Sequence, residues 1–368
     1  MNNETLPGPP LKGENGRLQW LDAMRGFTMI LVVANHVALN SFGERFSASS
    51  AMSLLVLLRM PLFFFISGFL AYKAGLVWDI AGTWGRIKKK LRVQIIPTVV
   101  FFLVFMAVCH ARTFGTSVVE ALHSPTKGGY WFTIALLYMF LVYYVFEYVE
   151  HLFRRQTVWP ILVLWLLALC LYESCYLPRH FAWATGRRVP YTGWLCDISM
   201  VQFMQYFHFF VFGNIVRRYW HRFQRLYDRP GFYLLIVLVA FLSSVEFLKV
   251  HWLRLSWANI THTLASYSLL TLVFLFFRYY QESFSDRHLL GRGLQYVGTR
   301  TLDVYLIHYL FLPSIPEVGA FFNTHPGNFV LDISLSLAVA LLVVAFCLLT
   351  SNVLRISPFL KKYLFGRG

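Results

Sequence analysis

The chain has 368 residues, of which 57% are hydrophobic, 18% are aromatic and only 14% are charged. A soluble domain of this length does not need so much apolar surface, so the composition excludes the soluble globular classes and favours a membrane protein. The formal net charge of +16 does not indicate nucleic-acid binding, because membrane topology and anionic lipid headgroups account for most of the excess cations.

Apolar residues are concentrated in ten runs of about 20 residues, the length of a helix that crosses a hydrocarbon core. The predicted spans are 21–42, 51–74, 91–110, 131–149, 158–176, 198–216, 231–250, 259–280, 297–313 and 329–354. The predicted fold class is therefore an all-α integral membrane protein with about ten transmembrane helices. Residues 1–20 form a polar N-terminal tail without the layout of a signal peptide, residues 21–354 form the membrane domain, and residues 355–368 form a basic tail.

Lysine and arginine lie mostly on one side of the predicted helices. If both chain ends are on that side, it carries 24 of the 33 basic residues. Because basic residues concentrate on the cytoplasmic side of membrane proteins, we predict that both termini are cytoplasmic. The predicted location is multi-pass, in the cell inner membrane.

The first span contains two ionisable residues, Arg25 and His36, eleven positions apart. On a helix this spacing places both side chains on one face, roughly 16 Å from each other. Arg25 then lies near one membrane surface and His36 lies past the middle of the bilayer. An ionisable group at that depth is costly unless it faces the protein interior or water, so both residues are functional candidates.

Three more ionisable residues reach the depth of His36 when about 1.5 Å per residue is counted from each predicted helix start. These are Arg59, Glu246 and His308. Because each needs a partner in the membrane, we expect either that Arg59 pairs with Glu246 or that Glu246 orients His36. On the ninth span, Tyr305 and His308 are three residues apart and share a helix face, so they form a predicted pocket pair.

Two cysteines, Cys175 and Cys196, fall in the same predicted outer loop. They are either two free thiols or, in an oxidising compartment, a disulfide. The sequence contains no Gly-rich phosphate loop, no zinc-ligand spacing and no nucleophile elbow. No metal ion and no bound cofactor is therefore predicted.

Six motifs resemble those of the membrane acyltransferase-3 family. The two more specific ones are the segment 21–26 followed by His36, and the aromatic-then-Ser-Gly-Phe segment 61–69. The others are the basic run 86–92 leading into 95–97, Trp131-Phe132, the segment 209–213 and the segment 305–308. Together they cover nearly the whole chain in order.

This resemblance implies an enzyme that transfers an acyl group, often acetyl, from cytoplasmic acyl-CoA to a hydroxyl of a glycan or a lipid-linked acceptor. It also implies that Arg25 and His36 are essential. The family often carries a second basic residue three or four positions before the third-span proline, where this chain has Gln94 or Val93.

Acyl transfer to an alcohol needs a base near the hydroxyl, and histidine suits this because its unperturbed pKa is close to neutral. We therefore expect His36 to take the acceptor proton during direct attack on the thioester. The alternative is a histidine that only joins helices. Arg25 either contacts the CoA or fixes the first helix, or it is a simple anchor at the membrane surface.

Candidate donor-binding residues lie in the second and third spans. Lys90 and Arg92 are the cations nearest to the third-span proline, and they either bind CoA phosphates or only set topology. Ser67 and Gly68 form a small-residue patch that admits either another helix or an extended pantetheine arm. The main alternative function is a proton-coupled transporter or flippase of a glycan or small molecule, although no internal duplication is evident.

Overall fold

The computed structural model describes residues 18–45, 49–76, 78–153, 157–174, 193–247, 258–325 and 327–365. These stretches consist of helices and loops, with no β-sheet among them. The predicted all-α class is therefore confirmed. Cys175, one of the two cysteines considered for a disulfide, lies outside the described residues.

The described stretches contain a succession of α-helices. In chain order they are α1 Gln19–His36, α2 Ser50–Ala71, α3 Ile80–Lys90, α4 Ile96–Cys109, α5 Phe114–His123, α6 Trp131–Leu152, α7 Trp159–Ser174, α8 Gly193–Asp197, α9 Met200–Arg218, α10 Trp220–Tyr227, α11 Pro230–Phe247, α12 Ala258–Tyr279, α13 Leu289–Thr299, α14 Thr301–Ile307, α15 Pro316–Thr324, α16 Phe329–Leu354 and α17 Pro358–Phe365.

Several of these helices are long and apolar enough to cross a membrane. Within the described ranges they are Ala51–Ala71, Ile80–Cys109, Trp131–Leu152, Ile260–Tyr279 and Phe329–Leu354, and the pair α10 and α11, bent by 83°, makes a sixth if counted as one span. This architecture fits a membrane protein. The count of ten spans and the cytoplasmic termini stay predictions.

The third predicted span is longer than its apolar run. Helix α3, a π-helical turn over Leu91–Ile95 and helix α4 form one continuous helix, Ile80–Cys109, of 30 residues. At 1.5 Å per residue this helix measures about 45 Å, against about 30 Å of hydrocarbon core. The basic run 86–92 therefore lies on a helix and not in a loop.

The ninth predicted span, 297–313, is a broken helix that begins earlier. Helix α13 starts at Leu289, the backbone leaves helical geometry at Arg300 (φ −119°, ψ 21°), and the short helix α14 is followed by a 3₁₀ turn over His308–Leu310. The apolar run did not predict this start, because polar residues lie before position 297. Close packing against α1 holds the segment in a helix.

The chain divides into two compact units, Met1–Phe63 with Gln224–Leu348 and Phe64–Phe223 with Leu349–Gly368. In the first unit, glycines bring α1 and α13 into backbone contact. A Cβ atom at Gly26 would lie 1.9 Å from the Leu294 carbonyl oxygen, and one at Gly298 would lie 1.8 Å from the Asp22 carbonyl oxygen. Only glycine permits this approach.

In the second unit, glycines likewise bring α9 and the last part of α2 into backbone contact. A Cβ atom at Gly68 would lie 1.8 Å from the carbonyl oxygen of Phe210, and one at Gly213 would lie 2.0 Å from that of Phe65. Of the two alternatives for the Ser67-Gly68 patch, the structure therefore shows helix packing at Gly68. Such close contacts of small residues are typical of helix pairs in membranes.

A buried lysine, Lys127, joins two segments of the second unit by hydrogen bonds. Lys127 is 5% exposed, and its Nζ donates hydrogen bonds to the carbonyl oxygens of Leu122 at 2.6 Å, Ser124 at 2.8 Å and Cys196 at 2.8 Å. The ammonium thus uses its three donors on three backbone acceptors. This links the connection after α5 to helix α8.

We expect Lys127→Met to destabilise the protein by about 1–3 kcal/mol, because methionine fills similar space but leaves three partly buried carbonyl oxygens without their donor. Thermal unfolding of the purified protein measures the effect. The exposed Lys361 of α17 provides a matched control, since Lys361→Met removes a cation but no buried contact. Equal melting temperatures of the two variants would contradict the role of Lys127.

Candidate active site

Helix α1 carries both residues that the sequence singles out, Arg25 and His36. All of its residues from Met29 to His36 are buried, and His36, its last residue, is 9% exposed. A π-helical turn over Val37–Ser41 follows directly. Such turns are frequent at functional sites. His36 is therefore a buried residue of the first unit.

Two aromatic side chains, those of His308 and Tyr309, contact His36. Its Nδ1 is 2.8 Å from Nε2 of His308, and its Nε2 is 3.3 Å from the hydroxyl oxygen of Tyr309. Nδ1 of His308 faces the backbone carbonyl oxygens of Tyr305 at 2.8 Å and Val304 at 3.2 Å. Both ring nitrogens of His36 thus have a polar neighbour in a buried site.

The 3₁₀ turn after α14 builds this cluster. His308 and Tyr309 are consecutive in that turn, and their ring centroids are 4.1 Å apart. The predicted pair Tyr305 and His308 is also in contact, with centroids 6.0 Å apart. Tyr309 was not predicted, because consecutive residues of a regular helix point about 100° apart. The sequence did offer one indication of Tyr309, because its hydroxyl-bearing side chain directly follows the candidate His308.

Arg25 is held at the break between α13 and α14. Its Nη2 donates to Oγ1 of Thr301 at 3.1 Å, and its Nη1 lies 3.7 Å from Oδ1 of Asp22. The Arg25 side chain is 27% exposed. Arg25 therefore ties α1 to the first residue of α14, which is more than a surface anchor does. Neither Thr301 nor Asp22 was predicted as its partner.

Arg59, like His36, lies in the first unit. It is half-buried on α2, and its charge acts on both His36 and Tyr309. The depth count placed His36 and His308 at one level, and the structure shows the two rings in contact, with His36 Nδ1 2.8 Å from His308 Nε2. Glu246 is in the last turn of α11, but its side chain lies outside the described residues, so its pairing stays a prediction.

The remaining predicted site residues lie in the second unit. Nζ of Lys90 is 3.4 Å from the centroid of the Phe140 ring, a cation–π contact. Arg92 is exposed on the π-helical turn after α3, and Ser67 is half-buried next to Gly68.

A buried ion cluster in the second unit escaped prediction. Nη1 of Arg218, at the end of α9, donates to both carboxylate oxygens of Glu150 at 2.7 and 2.9 Å, and its Nη2 donates to Glu147. The three side chains are 8–9% exposed. The sequence offered one indication of this cluster, two glutamates three residues apart in an apolar helix. Since one arginine pairs with both carboxylates, the cluster joins α6 to α9.

A second buried carboxyl group, Glu44, lies in the connection from α1 to α2. Glu44 is 3% exposed and lies beside Ser49 and Asp332. Asp332 accepts a hydrogen bond from the Ala51 N–H at 2.8 Å. Burial, with a smaller contribution from the Asp332 charge, raises the pKa of Glu44 from 4.5 to about 7. The nearby hydroxyl of Ser49 opposes this shift.

We therefore expect the stability of the protein to decrease as the pH rises from 4.5 to 7. In that window the folded state keeps a proton on Glu44 that the unfolded chain has released. At about 1.4 kcal/mol per pKa unit, the loss amounts to about 3.5 kcal/mol at most. In Glu44→Gln this part of the pH dependence should disappear from melting curves. The exposed Glu317 serves as control, and an unchanged pH profile in Glu44→Gln would refute the expectation.

Comparison with known proteins identifies the family. A family model described as an acyltransferase domain matches residues 18–352, which is nearly the whole chain. No curated protein and no solved structure gives a significant match. The matched region contains α1 with Arg25 and His36 as well as the turn with His308. The chain therefore belongs to the membrane acyltransferase-3 family.

Proposed function

We propose that the protein transfers an acyl group, acetyl first among the candidates, from acyl-CoA to a hydroxyl of a glycan or lipid-linked acceptor. Family membership supports acyl transfer in general. The donor, the acceptor and the role of His36 are our inferences from the residues. We infer that the enzyme is in the inner membrane with cytoplasmic termini, so that acyl-CoA arrives from the cytoplasm.

The observation that carries the proposal is the environment of His36. It is a buried imidazole with one nitrogen next to a second histidine and the other next to a hydroxyl group. In the proposed reaction the hydroxyl oxygen of the acceptor attacks the thioester carbonyl carbon, and His36 takes the proton of that hydroxyl. The carbon–sulfur bond breaks, the CoA thiolate leaves, and the proton on His36 neutralises it.

Cations supply the donor side of this proposal. We assign the CoA phosphates to Lys90 and Arg92, since charged donors bind phosphate well and Arg92 is exposed. Arg25, fixed by Thr301, is assigned to the passage of the donor toward His36. Arg59, whose charge acts on the His36 cluster, is assigned to the stabilisation of the oxyanion formed at the thioester.

Two observations favour a second candidate, a proton-coupled transporter or flippase. The break at Arg300 between α13 and α14 and the 83° bend between α10 and α11 are features that transporters also use at their substrate sites. Such a protein would move its substrate without forming a covalent bond to it.

The decisive experiment uses the purified protein in lipid nanodiscs with labelled acetyl-CoA and a panel of glycans. We expect label to appear covalently on an acceptor while free CoA thiol is released in equal amount. The release should depend on the acceptor. The enzymatic proposal would be overturned in favour of a transporter if no acyl-CoA of a panel of donors lost its acyl group while the protein moved glycan into proteoliposomes.

A further inference from the structure

A histidine base needs its lone pair on the nitrogen that faces the acceptor. A neutral imidazole carries one proton, and only its other nitrogen accepts a hydrogen. The group that contacts the first nitrogen therefore decides which nitrogen is the base. In serine hydrolases a buried carboxylate does this for the catalytic histidine.

The contacts of His308 determine its own tautomer. Its Nδ1 faces two backbone carbonyl oxygens, those of Tyr305 at 2.8 Å and Val304 at 3.2 Å. Carbonyl oxygens only accept hydrogen bonds, so Nδ1 of His308 must carry a proton and donate it to them. In the neutral ring Nε2 is then an acceptor.

The same argument extends to His36. Its Nδ1 lies 2.8 Å from this acceptor nitrogen of His308, so Nδ1 of His36 is the donor. The two ring planes differ by 11° and their centroids are 4.9 Å apart, so the rings meet edge to edge, as a hydrogen bond in the ring plane requires. Nε2 of His36 is left without a proton, facing the hydroxyl of Tyr309 at 3.3 Å.

We propose that His308 is a positioning residue that holds His36 as its Nδ1–H tautomer and thereby makes Nε2 of His36 the base. This inference rests on the proposed function. It gives to a neutral ring the orienting role that one of the two sequence-based alternatives gave to Glu246. A neutral orienter suits a buried membrane site, because an ionised carboxylate is costly there.

His308 also supports the charged state of His36. When Nε2 takes the acceptor proton, the bond from Nδ1 of His36 to His308 becomes charge-assisted and stronger. The carbonyl oxygens of Tyr305 and Val304, which accept from the far side of His308, stabilise the positive charge through that ring. The chain of bonds thus favours the protonated intermediate without a buried acid.

The test combines a spectrum with kinetics. ¹⁵N NMR of protein labelled on its 12 histidines reports which ring nitrogen carries the proton, and the His36 signals are those absent from His36→Gln. We expect wild-type His36 to be protonated on Nδ1 only. We expect His308→Phe to lose this preference and to lower kcat about 10- to 1,000-fold, with the KM for acyl-CoA unchanged.

Three further variants make the result specific. His308→Gln restores an acceptor for Nδ1 of His36 and should recover part of the rate and of the tautomer preference. Tyr309→Phe removes the neighbour of Nε2 and should leave the tautomer as it is. The exposed His325 gives the matched control His325→Phe. Melting temperatures identify variants that fail to fold.

Two results would overturn the inference. One is a proton on Nε2 of His36 in the wild-type protein, and the other is a His308→Phe enzyme with the wild-type rate and an unchanged spectrum. Full activity in His36→Gln would instead overturn the proposed function. The two failures are therefore distinguishable.

Discussion

Replacing His36 by glutamine is expected to lower the rate of acyl transfer about 10²- to 10⁴-fold, the range that a general base contributes. Glutamine keeps a polar side chain of similar reach in the buried site but cannot take up a proton near neutral pH. The KM for acyl-CoA should change little, because the base acts on the acceptor hydroxyl. Initial rates of CoA thiol release, with and without acceptor, measure the effect.

The control for this prediction is His325→Gln, since His325 is exposed at the end of α15 and has no place in the proposed reaction. Its rate should equal that of the wild-type protein. His36→Gln should also keep a melting temperature close to that of the wild type. A correctly folded His36→Gln protein that retains more than about a tenth of the rate would exclude His36 as the base.

Leucine at Gly26 or at Gly298 is expected to prevent stable folding of the first unit. At both positions the atom that a Cβ would meet is a backbone carbonyl oxygen less than 2 Å away, and the backbone cannot rotate out of the way as a side chain can. Overpacking of this kind costs about 1–3 kcal/mol or more. We expect a large decrease in melting temperature or in the yield of folded protein.

Gly293 provides the matched control on the same helix, α13. A Cβ atom there meets nothing within 4 Å, so Gly293→Ala should leave the protein unchanged or stabilise it by up to about 1 kcal/mol. Since α1 carries Arg25 and His36 while α13 leads to Thr301 and His308, any folded Gly26→Leu protein should also lose acyl transfer. Normal melting and activity in both leucine variants would show that the two helices are not in backbone contact.

The broken ninth helix connects the fold to the site. Because α13 ends at Thr299 and α14 starts at Thr301, the side chain of Thr301 is available to Arg25. The 3₁₀ turn after α14 then presents two consecutive rings to His36. A straight helix would have turned one of the two rings away.

Part of the site could be predicted from single residues. An ionisable residue in an apolar span is costly, so His36, Arg59 and His308 stood out, and counting the rise per residue placed them at one depth. Tyr309 and Thr301 did not stand out, because hydroxyl groups are common in such helices. Their roles depend on a helix break that hydropathy does not report.

The sequence by itself determined the membrane class, the helical architecture and the candidate site residues, because hydrophobic runs and ionisable residues within them are local properties of the chain. Only the tertiary structure decided which of those residues meet. The orientation of His36 toward His308 depends on the rotation of α1 against α13, which glycine contacts such as that of Gly26 fix. Such contacts join residues more than 260 positions apart, and no local pattern encodes their geometry.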